Sequence, residues 1–277
     1  MSTAGATRPR FGSAFARRLR QFLRELKWRP QFKRLERLRG IGEGRRAFLV
    51  GSGPSLGAMD LSRLDQEFVC VVNMGVRAVG NALSHADMHV VSDANRYRRF
   101  AAEIEAIALK QPIPYRFVSR RARDAWRRLP EKADEPIFLV PHTAKLTGTR
   151  ALPPIQEGLV TGPSVLVSAA VLLEFMGFSP IYVIGCDLDY ESGGKYFYEM
   201  GKLDLVHESD PVVMGRRTGM LRVNEHFAVL REAFETRGHS IVNAGVGGNL
   251  EALPRVEFGS LFAEPGCLGS LRPWRRP

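Results

Sequence analysis

Seven short apolar runs divide the chain, and each is followed by glycine, proline or polar residues, which is typical of buried strands in a parallel sheet. In chain order the runs lie in RAFLVGSG, EFVCVVNMG, ADMHVVSDANRY, PYRFVSR, PIFLVPH, PIYVIGCDLDY and HSIVNAG. Helical patterns fall between them, in RYRRFAAEIEAIALK, GPSVLVSAAVLLEFMGF and NEHFAVLREAFETRG. Strands that alternate with helices predict an α/β fold with a doubly wound, mostly parallel sheet of the Rossmann-like type.

The composition sets limits on the class of protein. Of the 277 residues 44% are hydrophobic and 25% are charged, which is ordinary for a soluble globular chain with a sizeable core. No apolar run approaches the ~18–20 residues that span a bilayer, and the N-terminus lacks the apolar region of a secretory signal. The three cysteines form neither a disulfide framework nor a metal-binding pattern, so we expect a cytoplasmic protein.

The net charge is concentrated in the first 46 residues, which hold fourteen Lys/Arg and three Glu and so carry the whole excess of +11. An apolar stripe runs through this arm at helical spacing, at Phe11, Phe15, Leu19, Phe22 and Leu26. The pattern predicts a basic amphipathic helix that binds an anionic membrane surface through residues 8–39. The alternative is a helix docked on its own domain. Because the remaining chain has no basic excess, nucleic acid is not an expected partner.

We therefore expect three parts: a basic N-terminal arm at residues 1–46, an α/β domain at 47–262, and an irregular tail at 263–277. Within the domain, residues 191–222 are rich in Gly, Asp, Met and Arg, and a loop of this length predicts a lid. Assembly into a homo-oligomer stays open.

Doubly wound sheets bind ligands beyond the carboxyl ends of their strands, and polar residues gather at four such ends. These residues are Gly51, Ser52, Gly53, Pro54 and Ser55 after the first run, Asn73 after the second, Asp93 and Asn95 after the third, and Asp187 and Asp189 after the sixth. The sequence therefore predicts a ligand site at this edge. The alternative is that Asn73 and Asp93 only cap helices or turns.

The turn after the first strand is neither G-x-G-x-x-G nor the Gly-Lys-Ser/Thr of a P-loop. Its glycines at 51 and 53 permit close approach of a ligand, and Pro54 suits the first turn of a helix. The Ser52 and Ser55 hydroxyls and the helix N-terminus would then face an anion. We predict that the turn holds a nucleotide phosphate.

The segments VGSGPSL, VVNMG, TGPSVLVSAAVLLEFMGFSPIYVIGCDLDY and GGKYF resemble the bacterial sialyltransferases that decorate lipooligosaccharide. They equally resemble bacterial proteins of the 6-hydroxymethylpterin pyrophosphokinase-like group. The resemblance covers about Ala47 to Leu250. The sialyltransferase resemblance implies a glycosyltransferase-type fold in which the 51–55 turn, Asn73 and Asp93 hold a cytidine monophosphate (CMP) sugar donor, with further contacts from Thr161, Gly162 and Ser164.

The resemblance also implies that Tyr190 and Tyr196 bind the departing phosphate. Phenol hydroxyls in a dry site can donate to it without a metal, so we expect no cofactor; the alternative is ordinary packing of both rings. The pyrophosphokinase resemblance implies Mg²⁺ instead. Asp187 and Asp189 alternate as they would along a strand, which predicts two carboxylates on one face, and such a pair can bind Mg²⁺.

The sialyltransferases use a histidine downstream of the tyrosines as the base, and this sequence departs from their pattern there. His226 and His207, the latter on the predicted lid, are the two candidates. We expect a transferase that moves sialic acid or a similar acidic sugar from a CMP donor to a surface-polysaccharide or lipid-linked acceptor, peripheral at the inner membrane. The alternatives are Mg²⁺-dependent pyrophosphoryl transfer to a pterin-like alcohol and a non-catalytic, membrane-docked nucleotide-binding scaffold.

Overall fold

A computed structural model describes residues 28–141, 152–155, 158–189, 197, 211–262 and 274, with residues 211–221 as helical backbone. The chain divides into two compact units, Met1–Arg37 and Leu38–Pro277. In the first unit residues 28–36 form helix α1, and the stripe from Phe11 to Leu26 lies outside the described residues.

The predicted arm boundary at residue 46 falls inside the second unit, which begins at Leu38. The Gly40 amide donates to the Phe175 carbonyl at 3.4 Å, and the Gly42 amide donates to the Met176 carbonyl at 2.7 Å. Residues 38–46 are therefore part of the body.

The body is built on a seven-stranded sheet in the order β5-β4-β3-β2-β1-β6-β7, with every neighbouring pair parallel. The strands are β1 (Ala47–Val50), β2 (Phe68–Val72), β3 (Met88–Val91), β4 (Tyr115–Ser119), β5 (Ile137–Leu139), β6 (Ile181–Ile184) and β7 (Ile241–Asn243). All seven lie within the apolar runs, which confirms the predicted α/β fold. β1, β2, β3 and β6 are buried throughout, as expected for strands covered on both faces.

Four helices of the body surround the sheet in the described residues: α2 (Ala94–Lys110), α3 (Arg123–Arg128), α4 (Val165–Phe175) and α5 (Pro211–Glu235). The first two follow strands on one side of β1, and α4 connects β5 back to β6 on the other side of β1. Because crossovers between parallel strands are right-handed, this reversal places the two sets of connections on opposite faces. The sheet is therefore doubly wound.

The segment predicted as a lid, residues 191–222, needs a correction. Residues 211–222 belong to α5, whose first residue is Pro211. Apart from residue 197, positions 191–210 lie outside the described residues. None of the helices seen in the described ranges has both the length and the apolar character needed to cross a membrane.

Trp274, in the tail after residue 262, makes contacts that the sequence did not predict. Trp274 lies at the amino edge of the sheet, where its indole N–H donates to the Asp87 carboxylate at 3.0 Å. Its ring packs edge-on against Phe68 and Phe178, with centroids 4.8 and 5.8 Å away. This part of the tail is thus anchored to the core.

Candidate functional site

The candidate site lies where the strand order reverses, between β1 and β6. The chain builds outward from β1 to β5 and then returns to add β6 on the opposite side of β1. In doubly wound sheets ligands bind in the crevice beyond the carboxyl ends of the strands at this switch point. The 51–55 turn follows β1, Asn73 follows β2 and residues 185–189 follow β6, so the structure brings these three predicted segments to one edge.

The 51–55 turn is tied to the chain after β6. The Gly51 amide donates to the Ile184 carbonyl and the Gly53 amide to the Gly185 carbonyl, both at 2.8 Å. A Cβ on Gly51 would lie 2.2 Å from the Gly185 carbonyl oxygen. Gly51 is therefore required by this close approach of two backbones.

The Ser55 donors bind a carboxylate of the chain itself, which corrects the prediction that they face an external phosphate. The Ser55 amide donates to Asp187 Oδ2 at 2.9 Å, and the Ser55 hydroxyl donates to Asp187 Oδ1 at 2.5 Å. A Cβ on Gly53 would lie 2.5 Å from the same carboxylate. Pro54 does open a helix, but this is a five-residue 3₁₀ helix, Pro54–Ala58.

The Ser52 hydroxyl remains open to a ligand, since it makes no hydrogen bond within the described part of the chain. The main chain of Ser52 is fixed, because its carbonyl accepts from the Phe197 amide at 3.1 Å. The 3₁₀ helix that follows β2 passes close by, and a Cβ on Gly75 would lie 3.6 Å from Ser52 Oγ. Ser52 is thus the hydroxyl of this turn that fits a ligand contact.

Asn73 has the most unusual environment of the predicted site residues. Its φ of 48° lies in the left-handed region, which asparagine tolerates better than most residues. Its side-chain Oδ1 is buried and has no hydrogen-bond partner among the described residues. Buried acceptors are normally paired, so this oxygen fits a ligand that brings an N–H or O–H group.

Asp93 caps α2. Its Oδ1 accepts from the Asn95 amide at 2.9 Å and from the Arg96 amide at 3.3 Å, and the Asn95 side-chain oxygen accepts from Arg98 at 3.1 Å. β3 ends at Val91, two residues before the cap. The structure shows the capping role for Asp93, and the ligand role of Asp93 and Asn95 stays a prediction.

Residues 161–164 open α4, as expected. Ser164 is the N-cap, and its hydroxyl accepts from the Leu166 amide at 3.2 Å. A Cβ on Gly162 would lie 3.0 Å from the Val167 side chain, so glycine allows the chain to pass close to the first helical turn. The predicted contacts of Thr161, Gly162 and Ser164 with a donor stay predictions.

Asp187 and Asp189 do not share the face of a strand, contrary to the prediction. β6 ends at Ile184, and left-handed backbone at Gly185 (φ 64°) and Leu188 (φ 51°) interrupts the alternation on which that prediction rested. In the described ranges no group of three or more His, Cys, Asp or Glu is arranged to hold a metal ion.

A loop after β7 supports Asp187, and the sequence did not predict this contact. The Asn249 amide donates to the Asp187 carbonyl at 2.7 Å, and a Cβ on Gly248 (φ 72°) would lie 2.7 Å from Asp187 Cα. The run Gly247-Gly248-Asn249 after β7 was the available signal, because consecutive glycines often mark a close approach between backbones.

The neighbouring Cys186 is not a candidate nucleophile. Burial, with a further contribution from the Asp187 carboxylate, raises the pKa of the Cys186 thiol to about 12. The thiol therefore stays protonated at neutral pH.

His226 lies within α5 and is connected to the site through its helix. Its Nδ1 donates to the Arg222 carbonyl at 2.7 Å, so in the neutral ring Nε2 is the proton acceptor. Two residues earlier, the Asn224 amide group donates to the Asn249 carbonyl at 2.8 Å and accepts from the Glu251 amide at 2.9 Å. The helix that carries His226 is thus fixed to the loop that supports Asp187. Tyr190, Tyr196 and His207 lie outside the described residues.

No protein-family model matches the chain, and no curated protein sequence matches it. Among solved structures, the chain is similar to the MAf glycosyltransferase from Magnetospirillum magneticum AMB-1, with 18% sequence identity and a TM-score of 0.48. The similarity covers 82% of this chain and 38% of that protein, so the chain spans well under half of its length.

Proposed function

We propose that the chain is a glycosyltransferase that moves sialic acid or a similar acidic sugar from a CMP-activated donor to a saccharide or lipid-linked acceptor. The observation that carries this proposal is the buried Asn73 Oδ1 at the switch point, which has no hydrogen-bond partner among the described residues. The partly exposed Ser52 hydroxyl lies on the neighbouring turn and makes no hydrogen bond within the described part of the chain. The hydroxyl can donate to a phosphate oxygen. The amide oxygen can accept from a ribose hydroxyl or from the amino group of a base, both of which a nucleotide provides.

In the proposed reaction the acceptor hydroxyl oxygen attacks the anomeric carbon of the sugar. The bond from that carbon to the phosphate oxygen breaks, and CMP leaves with the electron pair. His226 Nε2 takes the proton of the acceptor, since Nδ1 is engaged with the Arg222 carbonyl. Tyr190 and Tyr196 donate to the departing phosphate in this mechanism, and His207 is the alternative base.

The pyrophosphokinase alternative draws less support from the site. It needs the Asp187 and Asp189 carboxylates for Mg²⁺, and Asp187 already accepts two hydrogen bonds from Ser55. A magnesium ion would have to compete with both of these donors.

The basic arm fits an acceptor at the cytoplasmic membrane surface, and we include this location in the proposal. Arginine-rich helices bind anionic lipids by charge, so added salt is expected to weaken binding of the full chain to phosphatidylglycerol vesicles. Vesicle binding that does not depend on salt would contradict an arm that acts through its arginines.

A thermal-shift panel of CMP, CDP, UDP, GDP and ATP, each with and without Mg²⁺, tests the proposed function. We expect CMP to raise the melting temperature without Mg²⁺, because ligand binding to the folded state stabilises it. Stabilisation by ATP that requires Mg²⁺ would favour the pyrophosphokinase. Stabilisation by CMP without hydrolysis of a CMP-sugar or transfer from it would favour the non-catalytic, nucleotide-binding scaffold.

A further inference from the structure

We infer that His89 is a positioning residue for the ligand site: its ring holds the main-chain carbonyl of Asn73 and so fixes the left-handed backbone of that residue. His89 Nε2 lies 2.7 Å from the Asn73 carbonyl oxygen. That His89 fixes the backbone of Asn73 is inferred from this contact alone. The effect of His89 on ligand binding rests on the proposed nucleotide site.

The contact arises from the register of the sheet. His89 on β3 is the neighbour of Val71 on β2, so its ring reaches two residues further to meet the chain just beyond the end of β2. The His89 side chain is 1% exposed. An imidazole in this position is surrounded by protein on all sides and has little freedom to move.

The charge state of the ring decides which atom donates. Burial, with a smaller contribution from Arg116, lowers the pKa of His89 to about 4, although the hydrogen bond to Asn73 acts in the opposite direction. Arg116 is the neighbour of His89 on β4, and its guanidinium is paired with Glu105 of α2. The ring is therefore neutral at neutral pH, and because a carbonyl only accepts, the single ring proton is on Nε2.

The conformation that this bond fixes is one that needs support. A non-glycine residue with left-handed backbone persists where its surroundings determine it, and such residues gather at ligand sites. The same residue carries the unpartnered Oδ1, so a change in the backbone of Asn73 would move the acceptor that meets the ligand. His89 thus acts on the ligand through Asn73 and need not touch it.

Three variants of the full chain test the inference, with CMP affinity measured by calorimetry. His89→Leu removes the donor and is expected to raise the Kd for CMP about tenfold, by analogy with the loss of an outer-shell partner at a metal site. His89→Gln keeps an N–H donor and is expected to restore most of the affinity. Trp274→Phe removes a hydrogen bond to buried Asp87 at the opposite edge and is expected to leave the Kd unchanged.

The inference would be overturned by a Kd for His89→Leu equal to that of the wild type, or by an equal loss of affinity in His89→Leu and Trp274→Phe. The second result would mean that any lost buried hydrogen bond weakens binding. An affinity loss in His89→Gln as large as that in His89→Leu would also contradict a role that depends on the donor.

Nuclear magnetic resonance gives a readout that needs neither CMP nor a folded variant. In the wild type we expect the ¹⁵N signals of His89 to show a ring protonated at Nε2, and the Asn73 Cα and Cβ shifts to show left-handed backbone. A ring protonated at Nδ1 would overturn the inference. If the wild type binds no nucleotide, the proposed function fails, while these signals still decide the contact between His89 and Asn73.

Discussion

Each edge of the sheet holds a buried side-chain oxygen acceptor, and the two acceptors differ in how they are satisfied. At the amino edge, the buried Asp87 carboxylate accepts from the Val69 amide at 2.9 Å and from Trp274 at 3.0 Å. At the carboxyl edge, Asn73 Oδ1 is buried without a partner among the described residues. A paired carboxylate stabilises the fold, whereas an unpaired acceptor costs about 1–3 kcal/mol until a ligand pairs it.

The two edges also differ in backbone conformation. Among the described residues the non-glycine positions with positive φ are Asn73 and Leu188, and both lie at the carboxyl edge. Each such residue costs on the order of 1–3 kcal/mol. The carboxyl edge therefore keeps backbone strain and an unpaired acceptor that packing alone would remove, which is expected of a ligand site. Variants at the two edges should then separate function from stability.

The largest effect is expected from the tyrosines that follow Asp189. Tyr190→Phe and Tyr196→Phe each remove one hydroxyl, and turnover of a CMP-sugar should fall by roughly 10²–10³, as when an oxyanion-hole donor is deleted. The loss should appear in kcat, because the charge on the phosphate develops in the transition state. Steady-state kinetics with and without EDTA measure this. Activity that vanishes with EDTA and survives both substitutions would contradict the proposed mechanism.

At the amino edge we expect a substitution to lower stability and to leave ligand binding unchanged. Trp274→Ala removes a ring that packs against Phe68 and Phe178 and leaves Asp87 with one donor fewer, so the free energy of unfolding should fall by about 3 kcal/mol. The Kd for CMP should not change. Urea unfolding and calorimetry measure the two quantities, and a weaker affinity for CMP would show that the edges are coupled.

Much of the fold could be predicted because its signals are local. Each strand is a short apolar run followed by a break, and α4 is an apolar segment between Ser164 and Gly177. The start of α5 also had a local signal in Ser209-Asp210-Pro211, which is typical of a helix N-terminus. Gly215 and Gly219 weaken the helical pattern that follows, since glycine is unfavourable within helices.

The site was less predictable because its contacts join distant parts of the chain. Ser55 and Asp187 are 132 residues apart, and nothing near either residue shows that they pair. Left-handed backbone at Leu188 likewise depends on the support of the 248–249 loop. The sequence could indicate which strand ends carry polar groups, but not which of those groups bind each other.

Lowering the pH should destabilise the folded protein through His89, the buried neutral histidine that contacts Asn73. The pKa of His89 is lowered from 6.5 to about 4 in the folded state, so between these values the unfolded chain binds more protons. The contribution of His89 to the free energy of unfolding is fully present above pH 6.5. It is lost as the pH falls toward 4, by about 3 kcal/mol in total. Urea unfolding at pH 7 and pH 4 should therefore show a smaller loss for His89→Gln than for the wild type.

A smaller change in stability is expected from the glycine that packs on Asp187. In Gly53→Val, the new Cβ would lie 2.5 Å from the Asp187 carboxylate, so the turn or the carboxylate must move and the hydrogen bonds from Ser55 must weaken. We expect the free energy of unfolding to fall by about 1–3 kcal/mol, as in overpacked sites. The Kd for CMP should rise at least tenfold, because Ser52 moves with the turn.

Gly57→Val is the matched control, because it is the same substitution within the 3₁₀ helix that Gly53 precedes, with no atom within 4 Å of the new Cβ. It should change stability by about 0.5 kcal/mol or less and leave the Kd for CMP unchanged. If both variants bind CMP as the wild type does, the 51–55 turn is not part of the nucleotide site. If both variants lose affinity equally, the effect comes from the added side chain in this segment rather than from the contact with Asp187. The contact between Gly53 and Asp187 would then no longer distinguish the carboxyl edge from the amino edge.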